Sequence, residues 1–523
     1  MPPRNPSVFV SFLVPLGGFV CGFDATVISG PTPFLKRYFD LTGSAGDLKL
    51  GLAVSCLAWG VLGGMAFSGF VTHWFGRKKS LLLTALLLAG SALLSALMTR
   101  FALFVVSRVI GGLAVGGAIL IMPEYIAEIA PPKLRGTLVW LIQLMIVAGI
   151  SASFISNWLL VDAGQENWRW MLGMEAIPAM LYFFLLFFVP ESPCWLLRRG
   201  EEQRARQALE TVRSGREVEL ENIRDSLRDK APGAGLGGLL RGKMKLPVLL
   251  ALAIAFFQQI TGITAVFYYL PTLFANAGDT RNAAFGQAAL VGLVNLAMTL
   301  VAIWLVSRLG RKPLLMLGAA GMTVSLLTCS WAFHAASFQI TGKSYAILQS
   351  DNVPADFQAE LKGSEGQSFA TEDEFLAQLE TALGADRVKS HHESLVNAAL
   401  QVPAQVVLLG IIGFVASFAI SLGPLTWVVL SEIFPNVYRA AAMSLAGIVN
   451  AAVSAGVAFI FPWELSHLGS AGTFLAYGLF ALAALLFIFA AIPETKGKSL
   501  EELETILVST RLKTRSLASP AIE

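Results

Sequence analysis

Long apolar stretches alternate with short polar segments along almost the whole chain, and this pattern limits the fold more than any other feature. A helix that crosses a bilayer needs about 20 apolar residues. Stretches of that length recur in two sets of six: 8–30, 51–73, 80–98, 102–127, 137–161 and 170–190, then 246–272, 285–306, 313–336, 403–430, 441–463 and 471–492. Charged residues make up 14% of the sequence, against about 25% in soluble domains. The pattern predicts an all-α membrane protein with twelve transmembrane helices in the lipid bilayer.

Composition and motifs also exclude several classes of function. The formal net charge is only +3, so no basic field indicates a nucleic-acid partner. The chain has 5 histidines and contains no HExxH motif, no cysteines at metal-ligand spacing and no glycine-rich phosphate loop. We therefore expect no cofactor, no metal and no enzymatic activity. The first apolar stretch lacks a preceding basic segment and a cleavage motif, so it should remain as a span.

Short motifs at the span ends recur in the second half of the chain. Glu-Ile-Ala-Pro-x-x-x-Arg at 128–135 matches 432–439, and Pro-Glu-Ser at 190–192 matches Pro-Glu-Thr at 493–495. Gly-Arg-Lys at 76–78 matches 310–312 at a shorter offset, so an insertion lies between 312 and 432. The polar stretch 337–402 is the candidate for that insertion.

These boundaries predict the domain organisation and the orientation. The expected units are an N-terminal six-helix bundle at 8–190, a cytoplasmic helical linker at 191–245, a C-terminal six-helix bundle at 246–492 with an inserted extracytoplasmic loop at 337–402, and a cytoplasmic tail at 493–523. Lysine and arginine concentrate on the side that would hold both termini. We therefore expect a cell (inner) membrane protein with both termini cytoplasmic. In the insertion, Thr-Glu-Asp-Glu at 371–374 predicts a capped short helix, with a flexible spacer as the alternative.

Two parallel six-span repeats with matching motifs are typical of transporters in which two bundles rock around a central site. A channel is the alternative on hydropathy alone, but it needs no such repeat.

One carboxylate stands inside the first apolar stretch. Asp24 lies within Gly-Phe-Asp-Ala-Thr-Val-Ile-Ser-Gly at 22–30, and a charge at the middle of a spanning helix costs about 2.5–3.5 kcal/mol on insertion scales. A residue placed at such a cost usually lines an ion or proton pathway. A structural salt bridge within the bundle is the alternative.

Amide side chains occur in several otherwise apolar spans, namely Gln143, Gln258, Gln259, Asn295 and Asn450. Each amide has two donors and an acceptor, which suits a ligand with vicinal hydroxyl groups. Interhelical hydrogen bonds, which average about 0.6 kcal/mol in membrane proteins, are the alternative. The adjacent pair Gln258 and Gln259 beside the helix-breaking Gly262 favours the ligand interpretation.

Nine motifs occur in a fixed order: G-F-D-x-x-x-I-S-G at 22–30, R-x-I-G-G at 108–112, P-E-Y-I-A-E at 123–128, R-G at 135–136, P-E-S-P at 190–193, Q-Q-x-x-G at 258–262, G-P-x-x-W at 423–427, E-I-F-P at 432–435 and P-E-T-K-G at 493–497. Together they resemble the sugar porter family of the major facilitator superfamily, and its bacterial proton-coupled symporters in particular. The resemblance implies two six-helix bundles with an intracellular helical linker, and import of a small neutral sugar or polyol with protons by alternating access. An uncoupled facilitative transporter (uniporter) is the alternative, followed by a non-transporting sugar sensor.

The resemblance also implies that Arg108 faces Asp24 and that this pair carries proton coupling. At about 4 Å and an effective dielectric near 20, an ion pair is worth roughly 4 kcal/mol, comparable with the cost of the buried charge. Conformation can therefore control protonation. We expect Asp24 to take a proton when the pathway opens outward and Arg108 is drawn away, and to release it when the pair re-forms.

A substrate-binding role is implied for a set of polar and aromatic residues in the spans: Gln143, Gln258, Gln259, Thr264, Tyr268, Asn295, Trp427 and Asn450. Trp427 follows a Gly-Pro break and is suited to stack on the C–H face of a sugar ring. Tyr268 resembles part of an outer gate. Interfacial packing and an aromatic belt are the respective alternatives.

Carboxylates and arginines recur at the cytoplasmic span ends of both halves: Glu128, Arg135, Glu191, Glu432, Arg439 and Glu494. We expect them to form gate salt bridges across the bundles in the outward-facing state, which inward opening would break. Simple anchoring by positive residues on the inside is the alternative for the arginines.

Seven positions depart from the family pattern: Cys21, His73, Trp74, Cys194, Thr264, Ser307 and Ala451. Smaller or differently shaped side chains at Cys21, Thr264 and Ala451 predict a roomier central site, with relaxed selectivity or a preference away from glucose. The other four departures fall in cytoplasmic motifs and predict a weaker or differently connected gate.

Overall fold

The structure, a computed structural model, describes residues 12–130, 132–212, 244–350, 353–369, 372–496 and 502. Long helices dominate them. The helices of the N-terminal half are α1 Leu16–Val27, α2 Thr32–Tyr38, α3 Gly43–Phe75, α4 Arg77–Leu97, α5 Phe101–Ile129, α6 Pro132–Leu160, α7 Asn167–Gly173 and α8 Ala176–Leu185. Two short helices follow, α9 Pro193–Arg198 and α10 Glu202–Val212.

The C-terminal half repeats this arrangement around an insertion. Its long helices are α11 Lys245–Ile260, α12 Ile263–Ala275, α13 Arg281–Leu309 and α14 Arg311–His334, then α20 Ala404–Ile420, α21 Leu422–Ile433 and α22 Asn436–Ala491. The short helices of the insertion are α15 Gly342–Ser350, α16 Ala355–Glu360, α17 Glu372–Leu383, α18 Ala385–Ser390 and α19 His392–Ala399.

The described helices supply the twelve predicted spans. Ten helical segments, of which α22 is one, are long and apolar enough to cross a membrane, and α1 is a shorter apolar helix. Residues 8–11 of the predicted first span lie outside the described part of the chain. The helix α22 runs over 56 residues, but Gly469 interrupts it with a φ of 66°. This break divides α22 into the eleventh and twelfth spans, as predicted from hydropathy.

A glycine separates the second and third spans of each bundle. Gly76 has a φ of 84° and Gly310 a φ of 91°, a left-handed conformation that favours glycine. A Cβ atom at these positions would also approach the carboxylates of Glu191 and Glu494, at 2.7 and 2.8 Å. The repeated Gly-Arg-Lys motif therefore needs its glycine for both backbone conformation and close packing.

The two bundles meet closely at one end of the molecule. A single hydrophobic core there joins Phe23 and Val27 of α1 and Ala53 of α3 to Val266 and Leu270 of α12. Across the same end, Phe154 of α6 packs against Phe267 of α12, with ring centroids 6.1 Å apart. The burial of apolar surface between the bundles stabilises this closed face.

A second hydrophobic core is confined to the N-terminal bundle. It contains Leu81 of α4, Val115 and Ile126 of α5, Leu138 of α6 and Leu186. It lies towards the end of the bundle that carries the Gly-Arg-Lys and Pro-Glu-Ser motifs. In the residues described, the bundles thus share a core at one end, whereas the second core, at the other end, contains only residues of the N-terminal bundle.

The first linker helix docks on the end of α3. Ser192 begins α9 by accepting a hydrogen bond from the Trp195 backbone N–H at 3.2 Å, a typical helix cap. The Trp195 indole donates to the His73 carbonyl at 3.0 Å, and Arg199 donates to the Trp74 carbonyl at 2.8 Å. Residues 213–243 of the predicted linker lie outside the described residues.

The insertion folds into a small unit of its own. Five short helices and a three-stranded antiparallel sheet surround a hydrophobic core that includes Phe357, Phe375 and Leu395. The central strand β1, Ser337–Gln339, pairs with β2, Ser368–Phe369, and with β3, Leu400–Gln401. The predicted helix after 371 is present as α17, whereas the sheet was not predicted.

Candidate functional site

A cluster of three charged side chains is fully buried in the N-terminal bundle. Arg108 of α5 contacts an Oδ1 oxygen of Asp24 in α1 through Nη1, and its Nη2 donates to the Asp24 backbone carbonyl at 3.0 Å. Glu175, between α7 and α8, places Oε2 at 3.8 Å from the same Nη1. The structure thus brings together the predicted pair of Asp24 and Arg108 and adds a second carboxylate.

Glu175 was not among the residues predicted from the sequence. The signal was available, because Glu175 is an isolated acid within the apolar stretch 170–190, just as Asp24 is within 8–30. Asp24 Oδ2 and both carboxylate oxygens of Glu175 have no hydrogen-bond partner among the described residues. With both acids ionised, two negative charges face one guanidinium, so a single proton would neutralise the cluster. Such an uncompensated buried charge is costly.

Amide side chains of the C-terminal bundle connect two broken helices. The seventh span breaks at Gly262, where φ is 90° and a Cβ would come within 2.8 Å of the Tyr477 ring. Before this break, Gln258 Nε2 donates to the Leu422 and Gly423 carbonyls at 2.8 and 3.1 Å. These carbonyls lie at the start of α21, where the tenth span is itself interrupted at Ser421.

Asn450 of α22 links the two glutamines. Its Nδ2 donates to Gln258 Oε1 at 2.7 Å, and its Oδ1 accepts from Gln259 Nε2 at 3.1 Å. Beyond the break, the Thr264 hydroxyl donates to Gln259 Oε1 at 2.7 Å. Four of the residues predicted to bind substrate therefore form one hydrogen-bonded network around the two breaks.

The other predicted substrate residues lie in separate helices. Gln143 of α6 and Trp427 of α21 are half-buried, and Asn295 of α13 and Tyr268 of α12 are buried. The Trp427 ring extends to within 3.8 Å of a Cβ position at Gly447. Across the described part of the chain, the Gln143 amide and the Trp427 indole N–H have no protein hydrogen-bond partner, so both remain available to a ligand.

Carboxylates at the motif end of the N-terminal bundle bind the start of α4 and its first arginine, and the other half of the chain repeats these contacts. Glu191 Oε1 accepts from the backbone N–H groups of Arg77 and Lys78 at 2.8 and 3.0 Å, at the start of α4. The Arg77 guanidinium lies 2.9 Å from Glu128, and the Ser192 hydroxyl also donates to Glu128. An acid at a helix N-terminus is favoured by the helix dipole.

The C-terminal bundle repeats these contacts residue by residue. Glu494 accepts from the backbone N–H groups of Arg311 and Lys312, both at 3.1 Å. Arg311 Nη2 donates to Glu432 at 2.7 Å, and Thr495 donates to the same carboxylate at 2.5 Å. In this state the carboxylates of both motifs are therefore paired within their own bundle.

The remaining gate residues differ in what the structure describes. Arg439 Nη2 donates only to the Phe434 carbonyl, at 3.3 Å, and Nε has no partner within the described residues. The side chain of Arg135 lies outside the described part of the structure. Arg77 and Arg311 were predicted only as parts of the Gly-Arg-Lys motif, yet they are the partners of Glu128 and Glu432.

The hydrogen bonds that Glu494 accepts lower the pKa of its carboxyl group. Partial burial alone would raise its pKa, but the backbone N–H groups of Lys496, Arg311, Lys312 and Thr495 hold the pKa of this carboxyl below its ordinary value. Hydrogen bonds to the ionised form favour that form.

The sequence profile of the family described as Sugar (and other) transporter matches residues 10–348 and 387–507. The chain belongs to this family. It is 31% identical to the arabinose-proton symporter of Bacillus subtilis over 510 residues, which covers 96% of this chain and 95% of that protein. It is 30% identical to the D-xylose-proton symporter of Escherichia coli over 544 residues, with coverage of 98% and 97%.

A solved structure resembles the transporter along its whole length. The inward open conformation of the xylose transporter XylE from E. coli matches with a TM-score of 0.73 and 29% identity, covering 95% of this chain and 99% of that one. The predicted fold is thereby confirmed: twelve transmembrane helices in two six-helix bundles of the major facilitator type. The chain is a multi-pass membrane protein and a transporter rather than an enzyme.

Proposed function

We propose that this transporter imports a small neutral sugar or polyol together with protons by alternating access. The observation that carries the proposal is the fully buried cluster of Asp24, Arg108 and Glu175, which stands apart from the amide network of the C-terminal bundle. The N-terminal bundle thus holds carboxylates suited to carry a proton, and the C-terminal bundle holds amides suited to bind hydroxyl groups. The named symport activities of the relatives support the same combination.

We place the protein in the cell (inner) membrane with both termini in the cytoplasm, in keeping with the distribution of basic residues. The motif ends of the bundles are then cytoplasmic, and 337–402 is extracytoplasmic. In this orientation the shared hydrophobic core closes the outer face, whereas the second core, at the inner face, is confined to the N-terminal bundle. We infer an inward-facing state, and the likeness to an inward open relative supports this inference.

Proton coupling rests on the charge balance of the buried cluster. In the inward-facing state Arg108 is paired with Asp24, so the guanidinium compensates the charge of this carboxylate. Outward opening that draws Arg108 away would leave Asp24 in an apolar site, where the protonated form is favoured. Glu175 increases this tendency because its negative charge opposes a second ionised acid at the same site.

The cytoplasmic gate is proposed to exchange partners between the two states. In the inward-facing state Glu128 pairs with Arg77 and Glu432 pairs with Arg311. Arg439 has no carboxylate partner among the described residues, so it is free to pair across the bundles when the inner face closes. Glu191 and Glu494 cap helices in this state and would act by holding those helix ends in place.

The substrate site is proposed to lie between Trp427 and the amide network, with Gln143 contributing from the N-terminal bundle. The small side chain of Ala451 on the same face of α22 as Asn450 supports a roomy cavity and relaxed selectivity. Tyr268 and Asn295 would complete the site from the seventh and eighth spans.

Proteoliposome transport distinguishes symport from facilitated diffusion. We expect counterflow of at least one labelled pentose, hexose or cyclitol, accumulation driven by an inward proton gradient, and sugar-induced alkalinisation of the outer medium. Counterflow without accumulation would favour the uniporter. Binding without counterflow would favour a sensor, and the absence of both would contradict the proposal.

A further inference from the structure

Three cations gather at the motif end of the C-terminal bundle, where the eighth, ninth and twelfth spans end or begin. Lys496 Nζ donates to the Arg308 carbonyl at 2.9 Å, in the last turn of α13. Lys312 Nζ donates to the Phe489 carbonyl at 2.8 Å, near the end of α22. The backbone N–H groups of Lys312 and Lys496 both donate to the Glu494 carboxylate. These bonds hold Arg308, Lys312 and Lys496 together, and we call the three residues the basic cluster.

The basic cluster carries charge that its surroundings do not compensate. Among the described residues, no carboxylate lies within ion-pair distance of any of its three cations. The neighbouring Arg311 is already paired with Glu432. The Glu494 carboxylate accepts hydrogen bonds from four backbone N–H groups. Three cations therefore surround one carboxylate, and the surface keeps an excess of positive charge.

Exposed aromatic rings adjoin the basic cluster. The Arg308 guanidinium lies over the exposed Trp304 ring, 4.2 Å from its centroid. Lys312 Nζ lies 5.9 Å from the centroid of the exposed Phe489 ring. Both rings belong to helices that are long and apolar enough to span a membrane. Because aromatic rings with neighbouring cations are typical of the membrane–water interface, the basic cluster lies at the level of the lipid headgroups.

The chemistry of this surface selects one kind of ligand. Phosphate oxygens accept charge-assisted hydrogen bonds from ammonium and guanidinium groups, and exposed apolar rings suit acyl chains. A free phosphate would use only the cations. A zwitterionic lipid would bring a positive charge of its own to a surface that already has an excess. An acidic phospholipid matches both the charge and the apolar surface.

We propose that Arg308, Lys312 and Lys496 bind the headgroup of an acidic phospholipid, whose acyl chains lie against Trp304 and Phe489. The site is separate from the buried charge cluster and from the amide network, so it adds a lipid ligand to the transporter. The lipid would fix the ends of three spans of the C-terminal bundle at the membrane surface.

The internal repeat provides a comparison within the same chain. Alignment of the Gly-Arg-Lys motifs, and of Pro-Glu-Ser with Pro-Glu-Thr, places Trp74, Lys78 and Pro193 at the three equivalent positions of the first half. Only the lysine is repeated, and Lys78 Nζ donates to the Phe187 carbonyl at 2.9 Å. Lys78→Gln is therefore a control that removes the equivalent lysine and leaves the basic cluster intact.

Native mass spectrometry of the full chain in detergent tests the site. The probes are phosphatidylglycerol, phosphatidylcholine and soluble glycerol 3-phosphate, each titrated separately. Phosphatidylglycerol should bind wild type more tightly than either of the others. The combined substitution Arg308→Gln, Lys312→Gln and Lys496→Gln should weaken that binding about tenfold or more, because each cation near a membrane surface adds to the attraction of acidic lipid. Arg308→Gln alone, which changes an exposed side chain, should weaken it about two- to fivefold.

Two controls separate loss of the site from loss of charge in general. Lys78→Gln should bind phosphatidylglycerol as wild type does. So should the combined substitution Arg100→Gln, Lys362→Gln and Lys389→Gln, which removes three exposed cations at the other end of the molecule. Unchanged binding in Arg308→Gln and in the triple variant of the basic cluster would overturn the site, as would an equal loss in the triple control. Equal affinity of wild type for phosphatidylglycerol and either other probe would overturn the choice of ligand.

Discussion

Asn282 Nδ2 donates a 2.9 Å hydrogen bond to Asp162 Oδ2 across the two bundles. Asn282 begins the eighth span in the C-terminal bundle, and Asp162 follows the fifth span in the N-terminal bundle. The Trp158 indole donates to Asn282 Oδ1 at 3.1 Å. These bonds lie at the closed end of the molecule, so they can exist only while that end stays closed.

The first prediction concerns this contact. Asn282→Ala should shift the population several-fold towards the outward-facing state, because exposed hydrogen bonds contribute about 0.5–1.5 kcal/mol each. Spin labels at the exposed positions Gln165 and Ala283 should report longer distances in the variant. Glu166→Gln is the matched control, because Glu166 pairs within its own bundle with Arg169. Identical distance distributions in Asn282→Ala and wild type would show that the contact does not bias the equilibrium.

Asp24→Asn should abolish sugar accumulation and sugar-induced proton uptake while counterflow stays measurable. The amide can still bond to Arg108 but cannot exchange a proton. Glu464→Gln serves as the control, because Glu464 is a half-buried acid of the other bundle that accepts from Tyr477 at 2.6 Å. If Asp24→Asn still accumulates sugar against its gradient in step with protons, Asp24 is structural.

Arg439→Ala should slow uptake by about tenfold with little change in thermal stability. Among the residues that the structure describes, Arg439 makes only one backbone hydrogen bond in the inward-facing state. A charge-assisted pair across the bundles would contribute about 1.5–3 kcal/mol in the other state. Arg311→Ala should instead lower the melting temperature, because Arg311 is already bonded to Glu432. Equal destabilisation by the two substitutions would argue against a gate that exchanges partners.

Ala451→Trp should narrow the range of accepted sugars, because a large ring at this position would fill part of the proposed substrate site. Competition by a panel of pentoses, hexoses and cyclitols measures the effect. Ala452→Trp on the adjacent face of the helix provides the comparison. An unchanged competition profile in Ala451→Trp would contradict the roomy site.

Glu494→Gln should lower the melting temperature slightly near neutral pH, on the order of 1 °C, and have no effect in acid. The native pKa of Glu494 is depressed, so its contribution is present above the unfolded value of about 4.3 and is lost as the pH falls through the native pKa. Thermal unfolding in detergent between pH 3 and pH 7 measures the difference. A difference between variant and wild type that grows towards low pH would reverse the predicted sign.

Hydropathy alone was sufficient to predict the spans, because a bilayer requires long apolar helices whatever their packing. The same logic identified Asp24, since an acid in such a helix has few structural explanations. Glu175 carries an equivalent signal, and its role became evident only when the fold placed it beside Arg108. An isolated acid in any predicted span is therefore a candidate functional residue.

Pairings between distant residues were beyond the sequence pattern. Glu128 precedes Arg135 at a repeated spacing, yet its partner is Arg77, because the start of α4 lies beside the end of α5. The hydrogen bonds of the amide network likewise depend on which backbone carbonyls the helix breaks expose to Gln258. The sheet of the insertion escaped prediction because strands of two or three residues are too short to show a periodicity.

The small sheet of the insertion determines how the transporter tolerates insertions and deletions between the ninth and tenth spans. Strands β1 and β3 follow the ninth span and precede the tenth, and they pair directly, with Phe338 opposite Leu400. The chain therefore leaves and re-enters the bundle at neighbouring points, so the length between them is not set by the membrane portion. The family profile stops at 348 and resumes at 387, within this unit. A foreign domain grafted at this site, or a tight turn in its place, would leave the course of both helices unchanged.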